Sequence, residues 1–113
     1  MTQKYIQQIP EQTAYITVYG RMFNFHFYTF SGLVYIDIKR DTNYVVSGKR
    51  VLPNVWLLPR SVAVGYGNVR FETYAADGDD YVWYDGFNKK FRLMVYSDEE
   101  IEELEAQKRS SEG

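Results

Sequence analysis

His26 is the only histidine in the chain, so any imidazole chemistry must be built on it. General-base work also requires a positioned nucleophile and an acid that orients the ring. His26 stands in Phe23-Asn24-Phe25-His26-Phe27, where strand alternation sets it opposite the phenylalanines, and it reads as a structural or contact histidine. Asp77, Asp79, Asp80 and Asp85 form the densest group of oxygen ligands. A calcium-binding EF-hand register starting at Asp77 places Val82 where glycine is required and Asn88 where a bidentate glutamate belongs, so that motif fails. The same aspartates offer a carboxylate pair for glycoside hydrolysis, but nothing in the sequence raises the pKa of one of them or opposes two across a cleft. They read as solvated turn residues.

Gly65-Tyr66-Gly67-Asn68 has the look of a phosphate-binding loop. It lacks a third glycine, a Lys-Ser/Thr ending and a following amphipathic helix, so its amides do not converge on an anion. Trp56, Arg60, Tyr66, Arg70 and Phe71 interleave cations with rings, as surfaces that stack single-stranded bases do. Tyr81, Trp83, Tyr84 and Trp56 have the composition of a sugar platform or a protein contact. Core filling is the commoner use of any one of these rings. No residue is assigned a catalytic, cofactor-binding or metal-binding role.

The composition sets the frame for these candidates. The 113 residues contain no cysteine, which removes thiolate metal sites and cysteine nucleophiles, and their length fits one domain. Aromatic content of 18%, with 11 Tyr and 7 Phe, favours β structure and contact surfaces. No apolar run approaches the about 20 residues of a membrane helix, and residues 1–20 lack the pattern of a secretory signal. The chain reads as soluble and made in the cytoplasm. Up to Ser97 there are 11 basic and 8 acidic residues, a body at +3; from Asp98 onward there are 2 and 7, a tail at −5. Neither part has the basic footprint of a nucleic-acid binder.

The elements follow from periodicity. Ala14 to Tyr19 alternates as a strand, and Gly20-Arg21 suggests a type II′ turn into a return strand over Met22 to Phe30. Phe23, Phe25 and Phe27 face the core. Ser31-Gly32 turns the chain into Leu33 to Lys39, with Val34, Ile36 and Ile38 inward. Asp41-Thr42-Asn43 leads to short strands at Tyr44 to Val46 and Lys49 to Leu52, with a bulge or bend at Ser47-Gly48. Pro53 and Pro59 bracket a packed apolar connection. Val69 to Tyr74 and Lys90 to Tyr96 complete the strands, with Tyr81 to Tyr84 as a short one between turns. Ser97-Asp98-Glu99-Glu100 reads as a capping box that starts a helix. Only Ile101 and Leu104 give that helix apolar contact, and Ser110 to Gly113 are expected to fray.

Taken in order, several segments carry a resemblance. They are Ile9-Pro10 with Gln12, the strand to Gly20, Phe23 to Phe27, and Gly32-Leu33-Val34-Tyr35-Ile36-Asp37-Ile38. Val46-Ser47-Gly48-Lys49-Arg50-Val51-Leu52-Pro53-Asn54, Leu57-Leu58, Gly67-Asn68-Val69-Arg70-Phe71 and Leu93-Met94-Val95-Tyr96 follow. Over about residues 5–96 the chain resembles the small baseplate plug proteins of contractile-tailed bacteriophages. Its most specific stretch is Tyr35-Ile36-Asp37-Ile38 with Gly48 to Leu58. The acidic helix after Ser97 lies beyond the usual family core.

The resemblance implies a compact β-domain present in several copies around the tail axis. It would form a homo-oligomeric ring that closes or lines the channel where tail tube, hub, spike and tape measure protein meet. It carries no catalytic residues to transfer, so the chain is expected to be a virion component and not an enzyme, with no cofactor, membrane partner or nucleic-acid partner. The expected fold is all-β: an antiparallel meander rolled into a barrel or sandwich over residues 1–96, with an acidic C-terminal helix over 97–113. A small aromatic-lined module for glycan or single-stranded nucleic acid is the alternative, and a hydrolase using Asp77 to Asp85 the third.

Overall fold

The computed structural model describes residues 1–73 and 81–112, with side chains through Lys108. Among the described residues, seven strands form two antiparallel sheets. Strands β2 (Glu11–Val18), β3 (Arg21–Phe30), β4 (Leu33–Arg40) and β5 (Asn43–Arg50) make a four-stranded meander in chain order. Strands β1 (Thr2–Lys4), β7 (Arg92–Ser97) and β6 (Gly67–Glu72) make a three-stranded sheet with β7 in the middle. A short helix α1 (Arg60–Ala63) precedes β6, a 3-10 turn (Tyr84–Gly86) precedes β7, and α2 (Asp98–Glu112) follows it.

The alternation of the sequence decides what lies between the sheets. Phe23, Phe25, Phe27, Val34, Ile36 and Ile38 are buried on the meander side, and Val69, Phe71, Leu93 and Val95 on the other. The sheets meet through rings: Phe27 packs edge-on against Phe71 at 5.7 Å, and Phe71 stacks on Phe87 at 5.2 Å. Each such ring removes enough apolar area from water to be worth about 3 kcal/mol, which lets a core of this size hold without disulfides. The two sheets are not joined into a closed barrel. The sandwich form of the expected fold is the one adopted.

Several local expectations change. Val18 pairs with Arg21, so the loop of the first hairpin is Tyr19-Gly20, not Gly20-Arg21. Both loop residues have positive φ, as a type I′ turn requires and a type II′ turn does not. The same holds at Ser31-Gly32. The two short strands expected around Gly48 are one strand, β5, whose register slips twice against β4, so the predicted bulge is present but does not interrupt the strand. Tyr81 to Tyr84 forms no strand; Tyr84 instead enters the 3-10 turn. Strand β1, only three residues long and mostly polar, has no period to read, and pairing with β7 creates it. Helix α2 continues through Ser110 and Ser111 to Glu112, where fraying was expected.

The connection from Val51 to Pro59 is packed as the bracketing prolines suggest. Val51, Leu57 and Leu58 are buried, and Asn54 and Leu57 donate backbone hydrogen bonds to Phe71 and Val69 of β6 at 2.7 and 2.8 Å. This segment thereby covers the edge of β6 that β7 leaves open.

The capping box forms as read. Glu100 N donates to Ser97 Oγ at 3.1 Å, and Ser97 N donates to Glu100 Oε1 at 3.0 Å. Glu100 also pairs with the Met1 amino group and accepts from the Tyr19 hydroxyl at 3.1 Å. One carboxylate therefore ties the chain start, the first hairpin turn and the helix cap together. The Met1 ammonium, then the Ser97 amide, pull the Glu100 carboxyl down to about 2.

Candidate interaction surface

The residues of the meander that point away from the core form rows across its strands. Glu11, Tyr28, Tyr35 and Arg50 make one row; Thr13, His26 and Asp37 the next; Tyr15, Asn24, Lys39 and Tyr44 a third. Met22 flanks the array beside Thr17, and Phe30 pairs with Leu33 at its other end. Tyr15, Met22, Phe30 and Tyr44 are 69%, 62%, 68% and 59% exposed. Tyr28 stacks on Tyr35 at 5.9 Å, and Lys39 sits over the Tyr44 ring at 4.5 Å. The result is a face of rings separated by a few polar groups, the composition of contact surfaces that bind with little loss of side-chain entropy.

His26 lies at its centre. Nε2 is 3.1 Å from Glu11 Oε2, and Nδ1 faces Asp37 Oδ2 at 3.8 Å. The structure thus supplies the acids that the sequence could not place, in an open depression of about 210 Å³. Both ring nitrogens are turned to carboxylates, one on each neighbouring strand. The arrangement orders the face.

Asp37 has a second task. Its Oδ1 accepts a 2.6 Å hydrogen bond from the amide of Gly48, which sits at φ +64 in the β5 bulge. The carboxylate pins the bulge to β4. Burial, with the Asp37 carboxylate second, pushes the Tyr28 hydroxyl above its ordinary value. Sequence reasoning passed over Asp37 because its partner is fixed only by the slipped register of β5.

The outer face of the three-stranded sheet is covered by the chain itself. The Arg70 guanidinium lies 4.4 Å from the Trp56 ring and 5.3 Å from the Tyr96 ring, while its Nε donates to Glu72 at 2.8 Å. Tyr96 donates to the same Glu72 carboxylate; burial first, then this bond, raises its hydroxyl pKa. Lys49 Nζ donates to the Trp56 carbonyl at 2.8 Å and holds the connection in place, and burial lowers its pKa. Asn68 clasps Leu58 from both sides, accepting from its amide and donating to its carbonyl, each at 2.9 Å.

The remaining sequence candidates are distributed through the packing. Phe71 is buried, Tyr66 stacks under the Arg21 guanidinium at 3.5 Å, and Trp56 is committed to Arg70, so the interleaved rings and cations form no base-stacking strip. Arg60 opens α1 and is exposed. Trp83 meets Phe91 edge-on at 4.7 Å, and Tyr84 packs on the core, leaving Tyr81 as the exposed member of the rings weighed as a sugar platform or protein contact. In the glycine-rich loop, a Cβ on Gly67 would lie 2.2 Å from the Tyr96 carbonyl oxygen. That glycine allows β6 to approach β7; it does not cradle phosphate. Asp85 lies in the 3-10 turn, and Asp77, Asp79 and Asp80 fall outside the described residues. Among the described residues, no group of three or more His, Asp or Glu side chains is placed to hold a metal.

The family model described as the cyanophage Pam3 baseplate plug, gp18, matches residues 1–99. The chain belongs to this baseplate plug family. Its role is a structural one in a phage tail baseplate, in association with other baseplate components. The match takes in both sheets and ends at Glu99, so most of α2 lies outside the part on which plug-family membership rests. No curated protein matches the chain.

Proposed function

We propose that this plug-family protein closes or lines the central channel of a contractile tail baseplate, where tail tube, hub, spike and tape measure protein meet. Several copies stand in a ring around the axis, and no catalysis is involved. Residues 1–96 form the plug body and residues 97–113 an acidic appendage, and the protein is made in the host cytoplasm before assembly. The observation that carries this reading is the bare outer face of the meander. Tyr15, Met22, Phe30 and Tyr44 stand uncovered along one face of the meander, and exposed large rings of this kind mark contact surfaces. A ring places a different patch of each subunit against its neighbour and closes by rotation, so one broad face per copy suffices for a second contact to hub or tube.

Purified particles test the proposal. Mass spectrometry is expected to find the chain in the tail complex, and absence from it overturns the assignment. A Tyr15→Ala/Tyr44→Ala double variant is expected to fold normally yet enter particles in at least about tenfold fewer copies, since paired aromatic anchors of this kind commonly carry 2 kcal/mol or more of a contact. Normal copy number and infectivity with the double variant would remove the meander face from the proposal.

A further inference from the structure

A second surface lies on the opposite side of the molecule. Between α1 and α2 runs a groove of about 410 Å³ whose apolar lining is Trp56, Leu58, Ala63, Val64 and Ile101. Its polar rim is Asp98, Glu102 and Glu105 on α2, facing Arg60 at the start of α1. Positions 98, 102 and 105 are spaced four and three apart, so the three carboxylates stand on one side of the helix above the groove. None of them is in an ion pair among the described residues, and Val64 at the rim is 60% exposed.

We propose that this groove seats a segment of a neighbouring protein in which apolar side chains alternate with lysine or arginine. The apolar floor takes the apolar side chains and the acidic rim takes the cations, a complementarity that fixes orientation and speeds encounter more than it adds affinity. The charge of the chain argues for the same partner chemistry: the tail from Asp98 onward stands at −5, while the rim offers one cation, Arg60, against three acids. Ile101 and Leu104, the large apolar side chains of α2, are only half-buried, and an occupant packed against Ile101 would add apolar contact. The inference rests on the proposed function only in taking the neighbour to be another protein of the same assembly.

The test uses the full-length chain, isotope-labelled for amide NMR, and a short peptide of alternating lysine and leucine. Saturable shifts confined to residues 60–64 and 98–105 are expected, with none from the matching glutamate/leucine peptide. Glu102→Gln/Glu105→Gln leaves the Ser97 capping box intact and should weaken binding about tenfold, as should Val64→Asp, which puts a charge on the apolar side. Shifts that map to the meander face, or binding undiminished in both variants, would overturn the proposal. Concentration-dependent shifts of the same amides without peptide would also overturn it, by making a second copy the occupant. Failure of this titration leaves the particle measurements unaffected, so the two readings fall separately.

Discussion

The two sheets present outer faces built from the same alternating pattern, yet one is closed and the other open. On β6 and β7 the outward residues Asn68, Arg70, Glu72 and Tyr96 are covered by Trp56, Leu58 and the start of α2, and their polar atoms bond to one another and to the connecting backbone. On the meander, Tyr28 meets His26 and Tyr35, His26 faces Glu11 and Asp37, Lys39 lies over Tyr44, and no other segment covers the exposed Tyr15 and Tyr44 among the described residues. The difference does not come from hydrophobicity, since both faces mix rings with charges. It comes from chain connectivity. The meander is joined by two-residue turns that leave no chain to fold back, whereas the 16 residues between β5 and β6 are long enough to lie across a sheet. The closed face stabilises the folded chain, and the rings of the open one stay exposed.

That contrast predicts a graded set of effects. Asn68→Ala, on the closed face, should cost most, about 2–3 kcal/mol in chemical denaturation. It strands the buried amide and carbonyl of Leu58 together. A loss below about 0.5 kcal/mol would show that the covering segment is not held by this clasp.

Asp37→Ala should cost about 1 kcal/mol by releasing the Gly48 amide. Hydrogen exchange should rise at residues 46–50 and stay unchanged in β6 and β7, since the pinned bulge belongs to the open sheet alone.

Glu100 gives a pH dependence with a definite sign. Its carboxyl is lowered in the folded chain from 4.5 to about 2, so its stabilising contribution is complete above pH 4.5 and disappears as pH falls toward 2. Helix content followed by circular dichroism over that window should fall more steeply in the parent than in Glu100→Gln, and parallel curves would contradict the three-way tie.

The smallest effect belongs to the open face. Tyr15→Ala should change stability by no more than about 0.5 kcal/mol, because the ring has no covering partner in the monomer. A loss like that of Asn68→Ala would mean that the two faces do not differ as described.

Much of this was legible in the residues. Phe23, Phe25 and Phe27 at every second position announced a buried strand face, and Ser97 with Glu100 announced the helix start, because both signals are local and repeat at the period of their element. Tyr19-Gly20 was misread by one residue: a turn's type depends on which pair of residues faces across the strands, and a register is a pairing property. His26 looked isolated because its acids, Glu11 and Asp37, come from the two neighbouring strands.

By itself the sequence determined which side chains of β2 to β4 turn inward and where α2 begins, because steric alternation and capping act within a few residues. It also carried the segments that mark plug-family membership. Only the tertiary structure decided which outward face would be covered, which carboxylate would pin the β5 bulge and which rings would remain free. Those outcomes depend on where the Val51 to Pro59 connection and α2 come to rest, and contacts between residues distant in sequence fix that position.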